Sequence, residues 1–394
     1  MSRPRQIAFG VVAVLGALFL LEGAARLAVW WQGDSWDAYA GSPVLMDRVL
    51  HHRLRPSESR YNGRGGFFDH TNAQGWTERH DVARIKAQGV YRIFYVGDSQ
   101  VNALVAPGDK MADIVEEKLA RRYAGTGWRI EVVNTGTSSY STMIYYLLVK
   151  HELLEYSPDL VVINVDMTDV PNDYSYQAAA VIDRSGTLVA LDPKAQPFVT
   201  MTPFGPVERS RAEWLRAIIG QHSALARFVD EAVRGLLPAP PPPKLRDVAR
   251  QVKDRSADWL SWEWTPEIES NVAVSMRYLG MTIDLLHEHG VRVVVTGVPH
   301  HSQFTGVASH RPHAVLAATA ARHGAAYLDS YEALRPSVAH TAADLFYWSF
   351  DPTHFNRAGN ALWARVQLAF LVRNAAELLP PRGPAAIAPF AHSR

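Results

Sequence analysis

Cysteine is missing altogether from the 394 residues. Its absence excludes a thiolate nucleophile, a cysteine-ligated zinc site and an iron–sulfur cluster, and it fits an oxidising compartment without demanding one. An excess of one charge is missing too, since 40 Lys and Arg stand against 39 Asp and Glu, a formal +1. No general field draws the chain to nucleic acid, so such binding would need a local basic patch, and none is expected. Internal repeats are also absent. What is present is core material: 47% hydrophobic and 10% aromatic residues, enough for one large domain or two ordinary ones. Disorder, a collagen-like repeat and a disulfide scaffold are thereby excluded as descriptions of the whole.

One long apolar run stands at the start. Residues 7–21, IAFGVVAVLGALFLL, carry no charge and follow Arg3 and Arg5, and the apolar character resumes in LAVWW at 27–31. Together these are long enough to cross a bilayer, and residues 1–33 are read as a membrane anchor. A cleavable signal with Gly23-Ala24-Ala25 as its small-residue site is the alternative. Glu22 and Arg26 interrupt the run four residues apart, on one helical face where they can pair. Trp30 and Trp31 fall where an aromatic belt would lie. The basic flank before the span, with Asp34 and Asp37 after it, predicts that residues 34–394 lie outside the cytoplasm, on the periplasmic side.

Residues 34–89 show no strong periodicity and read as an extracytoplasmic lead-in. Strands are predicted at 90–97, 129–134, 160–165, 291–299 and 325–330, with helices over 111–123, 143–156, 272–290, 313–324 and 356–372. LVVINV (160–165) is apolar throughout, as a strand covered on both faces should be. Strands alternating with helices at this spacing predict βαβ units, a parallel sheet and a three-layer α/β/α fold over residues 90–378. An insertion over 174–270, cut by Pro238 and Pro240–Pro243, interrupts it, and residues 379–394 read as a loose tail.

In an open α/β sheet the site lies beyond the carboxyl ends of the strands. A serine at a strand-to-helix turn exposes its hydroxyl and offers its own N–H as an oxyanion donor, but it needs a base, usually histidine. Gly-Asp-Ser occurs twice. Gly33-Asp34-Ser35 follows the apolar run and reads as a solvated turn, whereas Gly97-Asp98-Ser99 ends the first core strand. Asp-x-x-His also occurs twice. Asp284 and His287 sit one turn apart inside a predicted helix and read as a surface pair. Asp351-Pro352-Thr353-His354 lies in a loop before the last helix, where Asp351 can orient the His354 imidazole.

With those residues the chain resembles the SGNH subgroup of the GDSL hydrolases, over roughly residues 70–175 and 275–372. The lead-in stretch Thr71-Asn72-Ala73-Gln74-Gly75-Trp76 is similar to the segment before the first strand in membrane-anchored bacterial members. The resemblance implies a flavodoxin-like fold, Ser99 as nucleophile, and Asp351 and His354 as its partners. It also implies Gly136, within Asn134-Thr135-Gly136, as a backbone oxyanion donor beside Ser99. The family's third block, Gly-x-Asn-Asp, is replaced here by Asp166-Met167-Thr168-Asp169. Thr168 takes the place of an asparagine donor; Asn164 and Asn172 are the alternatives that reach in.

Other residues are weighed against plainer uses. His300 and His301 follow a strand end and read as an exposed loop pair more than as cleft residues. His287-Glu288-His289 does not put both rings on one helical face, so no metal is expected there, and no cofactor elsewhere. Trp259, Trp262 and Trp264 read as local core rather than sugar platforms. Phe346, Tyr347 and Trp348 suit a pocket wall or the core equally. The reading that results is an extracytoplasmic serine esterase acting on acyl esters, with acylated surface glycans as substrates by resemblance. An O-acyltransferase using the same residues and a silent glycan-binding scaffold are the alternatives.

Overall fold

The computed structural model describes residues 3–31, 44–62, 67–195, 199–202, 205–208, 223–236, 257–340, 343–349 and 351–382, with positions 211, 212, 215 and 219. Gly33-Asp34-Ser35 and residues 383–394 lie outside them. The chain divides into two units, one from Met1–Val44 and Pro197–Pro242, the other from Leu45–Gln196 and Pro243–Arg394. The stretch read as a single insertion is thus shared between both.

The larger unit is built on five parallel strands: β1 (Val90–Val96), β2 (Arg129–Asn134), β3 (Leu160–Asp166), β4 (Arg292–Val298) and β5 (Ala326–Leu328). They lie in the order β2-β1-β3-β4-β5, every neighbouring pair parallel. This is the flavodoxin-like order, and the switch of direction falls between β1 and β3. Strands this apolar can only be buried on both faces, and alternation divides their side chains between two cores. Phe94, Val96, Val161, Ile163 and Val295 pack beneath the helices Thr142–His151, Pro266–Glu288 and Arg311–Arg322. Tyr91, Ile93, Tyr95, Val162 and Val294 pack beneath Met111–Tyr123, Ser330–His340 and Arg357–Arg373. The result is a three-layer α/β/α sandwich.

The element boundaries differ from the sequence reading at a few places. The long helix before β4 starts at Pro266, six residues earlier than predicted, because Thr265 caps it by accepting the Ile268 N–H and proline suits the first helical position. The lead-in contains two hairpins, Val44–Asp47 with His51–Leu54 and Ser59–Asn62 with Phe67–His70. Residues just past the last helix are packed rather than loose: Leu379 is buried, and the Pro380 carbonyl accepts the Tyr123 hydroxyl at 3.0 Å.

The smaller unit contains the apolar helix Arg3–Trp31, a short hairpin of Val199–Thr202 with Gly205–Glu208, and the helix Ala224–Leu236. The first of these is long and apolar enough over Pro4–Ala28 to span a membrane.

Candidate active site

Ser99 opens a single helical turn, Ser99–Asn102, at the carboxyl end of β1, where the sheet changes direction. Asp98 caps that turn: its Oδ1 accepts the Gln100 N–H at 2.8 Å. Gly97 is required by crowding, since a Cβ there would lie 2.3 Å from Val101 Cγ2. As the first residue of the turn, Ser99 presents an N–H with no place in the internal helical ladder.

The segment carrying Asp351 and His354 is a short strand, Asp351–Phe355, paired with Tyr347–Trp348 rather than the loop expected from sequence, and it brings His354 to Ser99 from 255 residues away in the chain. His354 Nε2 stands 2.8 Å from Ser99 Oγ, and His354 Nδ1 stands 2.8 Å from Asp351 Oδ2. A carboxylate only accepts, so Nδ1 carries the proton and Nε2 is left to accept the serine O–H. Asp351 Oδ1 is held in turn by the Thr353 hydroxyl and N–H. The His354 and Asp351 side chains are 21% and 22% exposed, so the array opens to solvent.

The charges around this array shift its protonation. Burial alone would lower the His354 pKa, but the hydrogen bond and charge of Asp351, helped by Asp98 and Asp166, hold it above the ordinary imidazole value. Asp351 goes the other way. Burial would raise its pKa, and the bonds from His354 and Thr353 keep it well below the usual carboxylate range. Asp98, fully buried and facing Asp166, is pushed up.

The residues read as oxyanion donors are placed differently. The Gly136 N–H donates to Asn134 Oδ1 at 2.9 Å. Gly136 is there for close approach: a Cβ would lie 2.2 Å from Asn102 N, inside the Ser99 turn. The Thr168 hydroxyl donates to Asp166 Oδ2 at 2.6 Å and its N–H to the same oxygen at 2.9 Å, so its single proton is not aimed at Ser99. Asn164 is buried, its Nδ2 bonded to the Val96 and Val162 carbonyls and its Oδ1 to Gln367 Nε2. Asn172 Nδ2 points to the Ser139 carbonyl at 3.5 Å.

His300 and His301 are a correction, being buried rather than exposed. His300 Nε2 sits 2.9 Å from Asp166 Oδ1, and His301 Nε2 sits 2.6 Å from Asp344 Oδ1. The buried Asp166 holds the His300 ring inside, whereas His301 packs edge-on against buried Tyr347 and reaches an exposed Asp344. Asp284 meets His323 at 2.8 Å instead of His287. Trp259 is core, its Nε1 donating to the Met167 carbonyl, and Trp264 donates to the Trp259 carbonyl, whereas Trp262, also read as core, is exposed. Tyr347 is also core, its hydroxyl on the Pro299 carbonyl at 2.6 Å.

The sequence reading missed His51 and His52, both fully buried, which the first hairpin brings behind the loop after β2. His52 Nε2 donates to the Ser138 carbonyl at 2.8 Å, leaving its Nδ1 to accept from His51 Nδ1 at 3.1 Å. Tyr176 donates to the next carbonyl, Ser139, at 2.8 Å. The two adjacent histidines were the one available signal.

No protein-family model matches the chain, and no curated protein matches it. Solved structures resemble it at low identity. A lipase/acylhydrolase from Enterococcus faecalis is 15% identical over 71% of this chain and 95% of that one, with a TM-score of 0.38. A two-domain esterase active on acetylated mannans is 13% identical over 76% of this chain and 54% of its own, with a TM-score of 0.39. A catalytic mutant of an acetylxylan esterase from Geobacillus stearothermophilus is 12% identical over 76% of this chain and all of its own, 100%, with a TM-score of 0.40.

Proposed function

We propose that the protein is a membrane-anchored serine esterase whose nucleophile is Ser99. The observation that carries this reading is the relay in which Asp351, His354 and Ser99 are joined at 2.8 Å per step, at the sheet's switch point. Ser99 Oγ attacks the acyl carbon as His354 Nε2 takes its proton, and His354 then returns that proton to the departing alcohol oxygen. Water, deprotonated by the same imidazole, releases the acid and restores Ser99. Asp351 holds the Nδ1–H tautomer and balances the imidazolium. The Ser99 N–H serves the oxyanion, while Gly136 and Thr168 shape the wall with their own donors already engaged. Acyl esters are the substrate class; acylated surface glycans follow from the sequence resemblance and from the extracytoplasmic placement of residues 34–394.

Incubating the protein with short acyl esters and acetylated glycans tests this. Free acid should appear with wild type and not with Ser99→Ala, and a fluorophosphonate should label wild type and Ser35→Ala but not Ser99→Ala. Acid release and labelling that survive Ser99→Ala would remove the nucleophile.

A further inference from the structure

The acid inside the apolar helix Arg3–Trp31 has more partners than Arg26. Glu22 Oε1 accepts from Arg26 Nε at 2.8 Å and from the Ala224 N–H at 3.0 Å. Glu22 Oε2 accepts from Ser223 Oγ at 2.7 Å and from the Leu225 N–H at 3.0 Å. Ala224 and Leu225 open the helix Ala224–Leu236, so two N–H groups that its first turn cannot satisfy internally end on this carboxylate. The helix's partial positive end faces the negative charge. A carboxylate in an apolar span is costly unless its lone pairs find donors, and here four donors meet it. The junction fixes where along the first helix the second one begins.

That position lies near the edge of a bilayer. From Arg5 to Glu22 the helix climbs about 26 Å at 1.5 Å per residue, against a hydrocarbon core of about 30 Å. Past Glu22, Ala25 is buried and Ala28 half-buried, whereas Val11, Val14, Leu15 and Leu18, earlier on the same face, are exposed. The second helix therefore covers only the end of the first. In its own sequence Leu225, Phe228, Val229, Ala232, Val233 and Leu236 follow the three-and-four spacing of one apolar stripe. Arg227, Asp230, Glu231 and Arg234 occupy the remaining register. Val229 and Val233 are more than half exposed. An apolar stripe opposite a charged one, held where hydrocarbon gives way to headgroups, is the composition of a helix lying in a membrane surface.

We propose that Ala224–Leu236 is an in-plane membrane helix, pinned by Glu22 to the far end of the anchor with its apolar stripe in the lipid of that leaflet. The proposal rests on the anchor reading of Arg3–Trp31 and adds a second point of lipid contact from a segment some 200 residues later in the chain.

The absence of native cysteine gives a clean background for testing it. Single cysteines replacing Leu18, Ile85, Val229, Val233 or Arg234 in the full chain are spin-labelled. After reconstitution in nanodiscs of phosphatidylethanolamine and phosphatidylglycerol, relaxation by oxygen, which concentrates in lipid, is compared with relaxation by a water-soluble nickel chelate. Leu18 should give the lipid pattern and the exposed Ile85 the water pattern. Val229 and Val233 should match Leu18, with several-fold higher oxygen-to-nickel ratios than Ile85, and Arg234 should match Ile85. A water pattern at Val229 and Val233, with Leu18 still in lipid, overturns the proposal and leaves the anchor standing. Low relaxation by both reagents at Val229 and Val233 means protein covers the stripe, which also overturns it. A lipid pattern at Arg234 as well would place the helix within the hydrocarbon and sink the in-plane geometry. A water pattern at Leu18 removes the anchor itself, and the inference with it.

Discussion

The imidazole of His354 is poised by one neighbour more than any other. A base must be neutral to accept the Ser99 proton, so activity rises as pH climbs through the His354 pKa. Because that pKa is raised, the acid limb of kcat/KM should lie above the ordinary histidine value of about 6.5. Asp351→Asn removes the charge and the hydrogen bond that do most of the raising. The limb should move to lower pH, and kcat should fall on the order of 10⁴-fold because the amide no longer fixes the reactive tautomer. A pH profile of kcat/KM for both proteins checks each part; an unmoved limb would show that Asp351 does not set the His354 charge. Thr168 gives the opposite expectation. With its hydroxyl spent on Asp166, Thr168→Val should cost less than about tenfold in kcat, where loss of a direct oxyanion donor costs about 100- to 1,000-fold. A steady-state comparison at saturating ester decides between them. At this scale the meeting of Ser99, His354 and Asp351 was legible from spacing and setting, because Gly-Asp-Ser after a buried strand and Asp-x-x-His before a helix leave little choice of partner. The hydrogen bonds that engage Gly136 and Thr168 were not legible, since Asn134 and Asp166 claim those donors only once the chain is folded.

Among the elements, the continuous apolar strands could be read residue by residue, for β2 to both ends and for β1 and β3 to within one residue. Elements without such a signal could not. The lead-in hairpins are four residues a strand and mix His, Arg and Asn with apolar residues, so period-two alternation never accumulates. Ser330–His340 carries Pro336 in its interior, which argues against a helix on sequence grounds, yet packing of Leu334 and Val338 on the sheet overrides that. Helix Arg311–Arg322 contains a weakness. His313 is buried, both ring nitrogens lack hydrogen bonds, and its ring stacks on Tyr331 at 5.4 Å. Burial, with His310 and His300 nearby, pushes its pKa down to about 3. The unfolded chain takes up this proton below about pH 6.5 and the folded one does not until about 3, so the histidine withdraws stability as pH falls through that window. His313→Leu should raise stability by about 1–3 kcal/mol at pH 7 and by more at pH 5. Denaturant midpoints at the two values measure this, and a gain that shrinks on acidification would contradict the account.

For the molecule as a whole, orientation rests on the N-terminal span. Arg3 and Arg5 before it and the acidic stretch after it predict that a reporter active only in the cytoplasm, fused after residue 394, stays silent. A strong signal would reverse the topology. The three-layer architecture was legible because βαβ alternation constrains it tightly, but the split into two units was not, since long-range association of residues 197–242 with the first helix leaves no local pattern. The chain leaves the sheet unit after Gln196 and re-enters it at Pro243, between β3 and β4, without contributing a residue to the hydrogen-bonded array of Ser99, His354 and Asp351. Closing a flexible excursion costs only about 0.6 kcal/mol more for each doubling of its length. The sheet unit therefore treats this segment as a graft. Its sequence and size are free to diverge, or to be exchanged by an engineer for another membrane-seeking or adhesive module, while strand register and the distance from Ser99 to His354 stay unchanged.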